Sequence, residues 1–378
     1  MKKVAILTLN NYNNYGNRLQ NYAAQEVITS LGFNVETVKN YNNPIIEKRV
    51  SRFSKIKGKT PRELVGIFQK KLKSRIQRSY LENIESQRTE VFKKFTSKYI
   101  KETNFNITDH NIMDGIGNSY DYFVTGSDQV WNPTFRHGSH IDFLTFAPKH
   151  KRVAYSASFG VSRIPEDFVE NYKVWLSEFS HLSVREEAGA KIIKELTNRD
   201  ATVLVDPTMM LTKEQWLSIA EEPISKPVRK YLLTYFLGEI SREKRQFINA
   251  ISRENDLEVV DLKNYRDKSA YLAGPSEFIH YINSASVVMT DSFHGAVFSI
   301  LMETPFVVFN REGSLPSMNS RMDTLLSTLK LTSRIADNIE RNEQVFHIDF
   351  SHTVPILEAE RKKAYDFLKT ALNVAVLV

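Results

Sequence analysis

The sequence predicts an α/β protein of two Rossmann-type parallel-sheet domains facing a cleft, with a C-terminal helix that can cross back. Three observations carry this. At 378 residues the chain is too long for one typical core. Short apolar runs alternate with amphipathic stretches, the β-then-α order of a parallel sheet flanked by helices. The alternation falls into two series, separated by a segment containing Pro207, Pro223 and Pro227.

In the first series KKVAILTL is a strand, and NRLQNYAAQEVITSLG is an amphipathic helix ending at Gly32. The opening resembles a secretion signal for a few residues only, so it is read as strand rather than leader. FNVETVK is the second strand. A basic arm and a charged helix over about 80–100 follow. YDYFVTG is a buried strand ending in a Gly-Ser-Asp turn, and RVAYSASF is another, followed by a helix near 166–178. HLSVRE is a strand with a helix after it, and ATVLVDP is a strand stopped by Pro207. The second series reads RKYLLTYFLG, LEVVDLK, VVMTD and PFVVFN as strands. SREKRQFINAISREN, PSEFIHYINSA and GAVFSILMETP are its helices. The expected boundaries are a domain over 1–205, a linker over 206–228, a domain over 229–355 and a helix over 356–378.

No apolar run reaches 18 residues, so no membrane span is expected. The chain has no cysteine, which excludes disulfide and thiolate chemistry and fits the cytoplasm. The net charge is +7, but residues 48–78 alone carry 12 Lys and Arg against Glu63, leaving the rest at −4. That distribution argues against a nucleic-acid binder and for one local basic arm. The arm is either a solvated helix pair or a membrane-facing surface. In the second reading Phe53, Ile56, Leu64, Ile67, Phe68 and Leu72 supply an apolar side facing anionic lipid.

Ligands of open parallel sheets bind outside the carboxyl ends of the strands, so the residues there carry the chemistry. Two such domains with strand ends facing a cleft make a GT-B-like layout. In TDSFHGAVFSI, His294 opens a helix directly after a strand. Free N–H groups and the positive dipole end gather there, Asp291 and Ser292 can cap the turn, and Gly295 leaves room for an anion. A histidine so placed can bind phosphate or donate a proton. The alternative is a structural histidine. The other histidines form no HExxH-type pattern, so no metal or cofactor is expected.

TDSFHGAVFSILMETPFV resembles the signature of the polysaccharide pyruvyl transferase family. VTGSDQVWNP, RVAYSASFG, LSVRE with VLVDPTMML, and NNYNNYGNRLQNYA resemble its other motifs, in order, over most of the chain except the arm. The resemblance implies a GT-B-like enzyme that moves pyruvate from phosphoenolpyruvate (PEP) to a sugar of a surface glycan or its lipid-linked precursor. The product is a cyclic ketal. PEP holds a phosphate and a carboxylate close together, so its pocket needs several cations or helix ends. Arg185 matches a PEP-contacting arginine of the family, and His294 its phosphate-contacting histidine and candidate acid. Better-studied members carry arginine two residues before that histidine, where this chain has Ser292. Arg321 and Arg311 are candidates to replace that charge.

Asp128 is either a general base for the sugar hydroxyl or a turn and cap residue. Trp131 either stacks on a sugar or packs in the core. Gly16 and Asn17 precede a helix and can hold an anionic or hydroxylic ligand at its start. Three function classes follow: a ketal pyruvyltransferase, a GT-B glycosyltransferase using a nucleotide sugar, and a non-catalytic glycan- or phosphate-binding relative.

Overall fold

The computed structural model describes residues 1–40, 61–225, 227–312 and 320–374, with the backbone alone over 61–77. The first domain runs β1 (Lys3–Leu7), α1 (Tyr15–Ser30), β2 (Asn34–Lys39), α2 (Pro61–Tyr99), β3 (Glu102–Asn106) and β4 (Tyr122–Thr125). It continues with α3 (Pro133–Arg136), β5 (Arg152–Ala157), α4 (Glu166–Ser177), β6 (His181–Val184), α5 (Glu187–Thr197) and β7 (Thr202–Val203). A short α6 (Lys213–Leu217) leads to β8 (Tyr231–Tyr235), α7 (Arg242–Glu254), β9 (Glu258–Asp261), α8 (Lys268–Tyr271) and α9 (Pro275–Ser284). Then come β10 (Val287–Thr290), α10 (Phe293–Met302), β11 (Phe306–Val308), α11 (Ser320–Thr328) and α12 (Thr353–Ala371).

The strands form two sheets, ordered β3-β2-β1-β4-β5-β6-β7 and β11-β10-β8-β9, with every pairing parallel. The central strands β4, β8 and β10 are buried along their whole length, as parallel strands covered on both faces must be. Strand order reverses between β1 and β4 in one sheet and between β8 and β10 in the other. These two switch points are where an open α/β sheet presents its ligand crevice.

Several elements differ from expectation. β3, with sequence ETNFN, is an edge strand with one buried residue, so it lacks the apolar alternation that marks a strand. The arm and the charged helix are not separate over 61–99, because α2 runs unbroken through both. The arm's remaining residues, 48–60, lie outside the described residues. The 206–228 segment, expected as a linker, puts Met209, Met210, Leu211 and Trp216 into a core that both domains share. Helix α12 does cross back over the first domain. Arg361 donates to the carbonyls of Met209 and Leu211 at 2.7 and 2.8 Å, and Asn373 donates to the Tyr122 hydroxyl at 3.0 Å.

The shared core is aromatic at its centre. Tyr15, at the start of α1, stacks on Phe278 of α9 with centroids 4.3 Å apart and meets Tyr235 edge-on at 5.3 Å. Such pairs add roughly 0.5–1.5 kcal/mol each beyond their buried area. Arg88 of α2 lies over the rings of Tyr15, Phe92 and Tyr271 and donates to the Tyr271 carbonyl, tying α2 to the second domain. The two domains therefore meet through a packed, aromatic-rich contact that brings their switch points together.

Candidate active site

The two switch points meet at one carboxylate. Asp206 follows β7 and is buried, with Oδ1 accepting from Thr208 N–H at 3.0 Å and Thr208 Oγ1 at 2.7 Å. Its Oδ2 accepts from Arg185 Nη1 at 2.6 Å and Ser127 Oγ at 2.8 Å, and lies 3.7 Å from His294 Nε2. Arg185 comes from the end of β6 in one domain and His294 from the first turn of α10 in the other. Burial alone would raise the Asp206 carboxyl; His294, Arg185 and the Thr208 N–H outweigh it and hold the group well below the usual carboxylate range. Burial likewise opposes the charge on Arg185, but Asp206, Asp128 and Glu186 more than offset it.

Asp128 joins from the β4 end. It takes φ +69°, a left-handed geometry that aspartate tolerates better than most residues, in the turn after Gly126. Its carboxylate accepts from Asn17 Nδ2 and from Gln129 N–H, and stands 3.5 Å from Arg185 Nη2. Its backbone carbonyl accepts from Val130 and Ser158, so Asp128 is a turn residue as well as a member of the cluster.

Gly16 sits in the first turn of α1 against the His294 ring. A methyl group there would fall inside the van der Waals envelope of His294 Nδ1. The glycine admits the imidazole, a different use from holding a ligand. Gly295 also has a packing role: a Cβ there would lie 2.6 Å from Thr290 Oγ1. Its N–H donates to Ser292 Oγ at 3.3 Å, so Ser292 is the N-cap of α10. The space that a Cβ of Gly295 would need is thus taken by Thr290.

Arg321, at the start of α11, is buried beside this cluster. Burial first, and the charge of Arg185 second, push its guanidinium down to about 10. Arg311 instead pairs with Asp291, whose Oδ2 lies 3.5 Å from Arg311 Nε. Asp291 also accepts from Leu237 and Gly238 N–H at 2.7 and 2.8 Å, fastening the β8 end to the β10 end. Trp131 is fully buried, stacked on Phe143 at 5.4 Å and donating to the Asp142 carbonyl, so it packs in the first domain's core.

Two pockets flank Phe293 and Arg321. One is lined by Asp291, Asn310, Arg311 and Asp323, the other by Arg185, Asp206, Thr324 and Glu360. Beside them Arg185 Nε and Nη2, Arg321 Nε and His294 Nε2 are buried without a hydrogen-bond partner. Buried donors cost stability unless something pairs with them, so this arrangement is suited to an anion. The sequence reading missed Asp206 and Phe293. Asp206 had a signal, since it is an acidic residue ending the apolar run ATVLV. Phe293 had none, because its role depends on what the fold brings to its ring.

The architecture is GT-B-like. It is similar to the S. aureus MnaA–UDP co-structure (TM-score 0.50, 10% identity, 99% of this chain and 98% of that one). It is similar to the same degree to the UDP-N-acetylglucosamine 2-epimerase from Rickettsia bellii (TM-score 0.50, 10% identity, 99% and 97% covered). At that identity the likeness concerns the fold alone. No protein with a curated description matches the chain. Residues 14–313 match the family model of polysaccharide pyruvyl transferase. The chain belongs to the polysaccharide pyruvyl transferase family and is a transferase.

Proposed function

We infer that the protein moves pyruvate from PEP to a sugar of a surface polysaccharide or its lipid-linked precursor, forming a cyclic ketal. The observation that carries this is the meeting of Arg185 and His294 at Asp206, with unpartnered guanidinium and imidazole donors beside it. In this reading Arg185 and Arg321 bind the phosphate and carboxylate of PEP. Arg321 supplies the charge that Ser292 lacks, because Ser292 is spent on capping α10.

His294 protonates the methylene carbon of PEP, which makes C2 electrophilic. A sugar hydroxyl adds to C2 as Asp128 takes its proton. A second hydroxyl then displaces phosphate and closes the ring; its proton returns to His294, left neutral by the first step, and the proton held by Asp128 leaves with the phosphate. Asp206 orients both Arg185 and His294, and Asn17 holds Asp128 through its amide.

The test is phosphate release from PEP with a pool of galactose-, mannose- and N-acetylhexosamine-containing acceptors, beside the same pool with UDP- and GDP-sugars. We expect acceptor-dependent phosphate release from PEP and no sugar transfer. Sugar transfer without phosphate release would move the protein to the glycosyltransferases. No turnover and no PEP binding by folded protein would make it a binding relative.

The basic arm, 48–78, suits an anionic membrane that carries the acceptor. Each basic residue near such a surface contributes roughly 1 kcal/mol, weakened by salt. No helix among the described residues is long and apolar enough to cross a membrane, so association would be peripheral. Vesicles containing phosphatidylserine should sediment the wild type and not a variant with the arm's lysines neutralised. Equal sedimentation removes the arm from the account.

A further inference from the structure

Phe293 lies at the centre of the site, yet the proposed chemistry gives it no task. It is buried, and its ring carries two cations. The Arg185 guanidinium carbon lies 4.3 Å from the ring centroid and that of Arg321 5.8 Å. His294 meets the same ring edge-on, with centroids 5.3 Å apart and planes at 88°. The arginines arrive from different directions, one from the end of β6 and the other from the start of α11. Two buried guanidinium groups this close repel each other, and Arg185 is one cause of the lowered Arg321 pKa. The negative face of an aromatic ring offsets such repulsion, which an aliphatic side chain cannot do. Arg185 is also braced by Asp206 and Asp128. Arg321 also feels the charges of Glu186 and Asp128, which favour its guanidinium, and of Arg311, which opposes it; it meets the Phe293 ring and the Gln129 amide, whose oxygen, turned towards it, accepts at 3.2 and 3.3 Å.

We propose that Phe293 is a positioning residue that seats Arg185 and Arg321 together on its ring, forming a paired-guanidinium clamp for a compact ligand with two anionic groups. The proposal deepens the PEP reading and rests on it for the identity of that ligand. It also explains how a chain with serine at 292 keeps two cations at the site. One belongs to the β6 end and the other is recruited from α11, with the aromatic ring holding them at a fixed spacing. A phosphate and a carboxylate borne by one carbon, as at C2 of PEP, need such a spacing, and a single arginine offers only one fork.

The experiment is a double-mutant cycle on PEP binding, measured by calorimetry on the full chain. Phe293→Leu should weaken binding about tenfold, the scale expected when desolvated cation–π contacts are lost. In an Arg321→Gln background the same change should cost clearly less, because only the Arg185 contact then remains, and Asp206 and Asp128 also brace that arginine. Unchanged affinity in Phe293→Leu, or losses that simply add, overturns the clamp.

A second readout does not depend on the ligand. The Nε–H resonances of Arg185 and Arg321, identified with R185K and R321K, should be shifted upfield by the ring in the wild type. They should return to ordinary positions in Phe293→Leu. Unshifted resonances in the wild type sink the clamp whatever binds. Ring-shifted resonances in a wild type that does not bind PEP support the clamp and count against PEP as the donor.

Discussion

Replacing His294 by alanine is expected to lower acceptor-dependent phosphate release from PEP by about 10²–10⁴-fold, the usual loss when a positioned proton donor is removed. The ring and Arg185 meet at the Asp206 carboxylate, with Nε2 facing Oδ2 at 3.7 Å. The α10 backbone does not depend on the ring, since Ser292 caps the helix and all ten of its residues are buried. Loss of the ring from its niche against Gly16 should therefore cost about 1–3 kcal/mol of stability, an ordinary core truncation. Steady-state turnover beside a urea melt separates the two effects. A variant that keeps its activity within tenfold would remove His294 from the chemistry.

Asp206→Asn is expected to destabilise the protein by about 3–5 kcal/mol, because it leaves Arg185 buried without its closest carboxylate partner. The same variant should lose turnover, since both Arg185 and His294 are set by Asp206. The pH dependence has a definite sign. The Asp206 carboxyl is depressed in the folded state, so its contribution is fully present above the unfolded value of about 3.9. It is lost only as pH falls below that value towards the folded pKa. Wild type and Asp206→Asn should thus differ most in urea midpoint near neutrality and converge in acid. Equal midpoints at neutral pH would mean that the pair adds nothing to the fold.

The strands buried on both faces were legible because each is a short apolar run between helical periods. β1, β4, β5, β8 and β10 all fall where the apolar runs lie. β3 was not, because an edge strand with one inward residue has no such pattern. The span of α2 was hidden because charge and amphipathicity change along it while the backbone does not. At the site, Arg185, His294, Asp128 and Asn17 were legible from their positions at strand ends or just beyond, and the fold gathers all four. The two glycines stand out in the sequence, but the side chains that pack against them do not. Gly16 makes room for a side chain of the other domain, and Gly295 for the threonine of its own strand. Trp131 and Phe293 are both aromatics after a strand. Only tertiary packing distinguishes the one enclosed by Phe143 and Phe159 from the one that meets two arginines.

The fit of Gly16 to His294 has a consequence for how this sequence can change. Any side chain at 16 displaces the imidazole before it disturbs α1, so the first damage appears in the opposite domain. Drift at one position is therefore constrained by the residue kept at the other. A lineage that gave up the histidine would release the glycine with it. A library that randomises the two together should recover folded chains only along that diagonal, with turnover kept only where the histidine is.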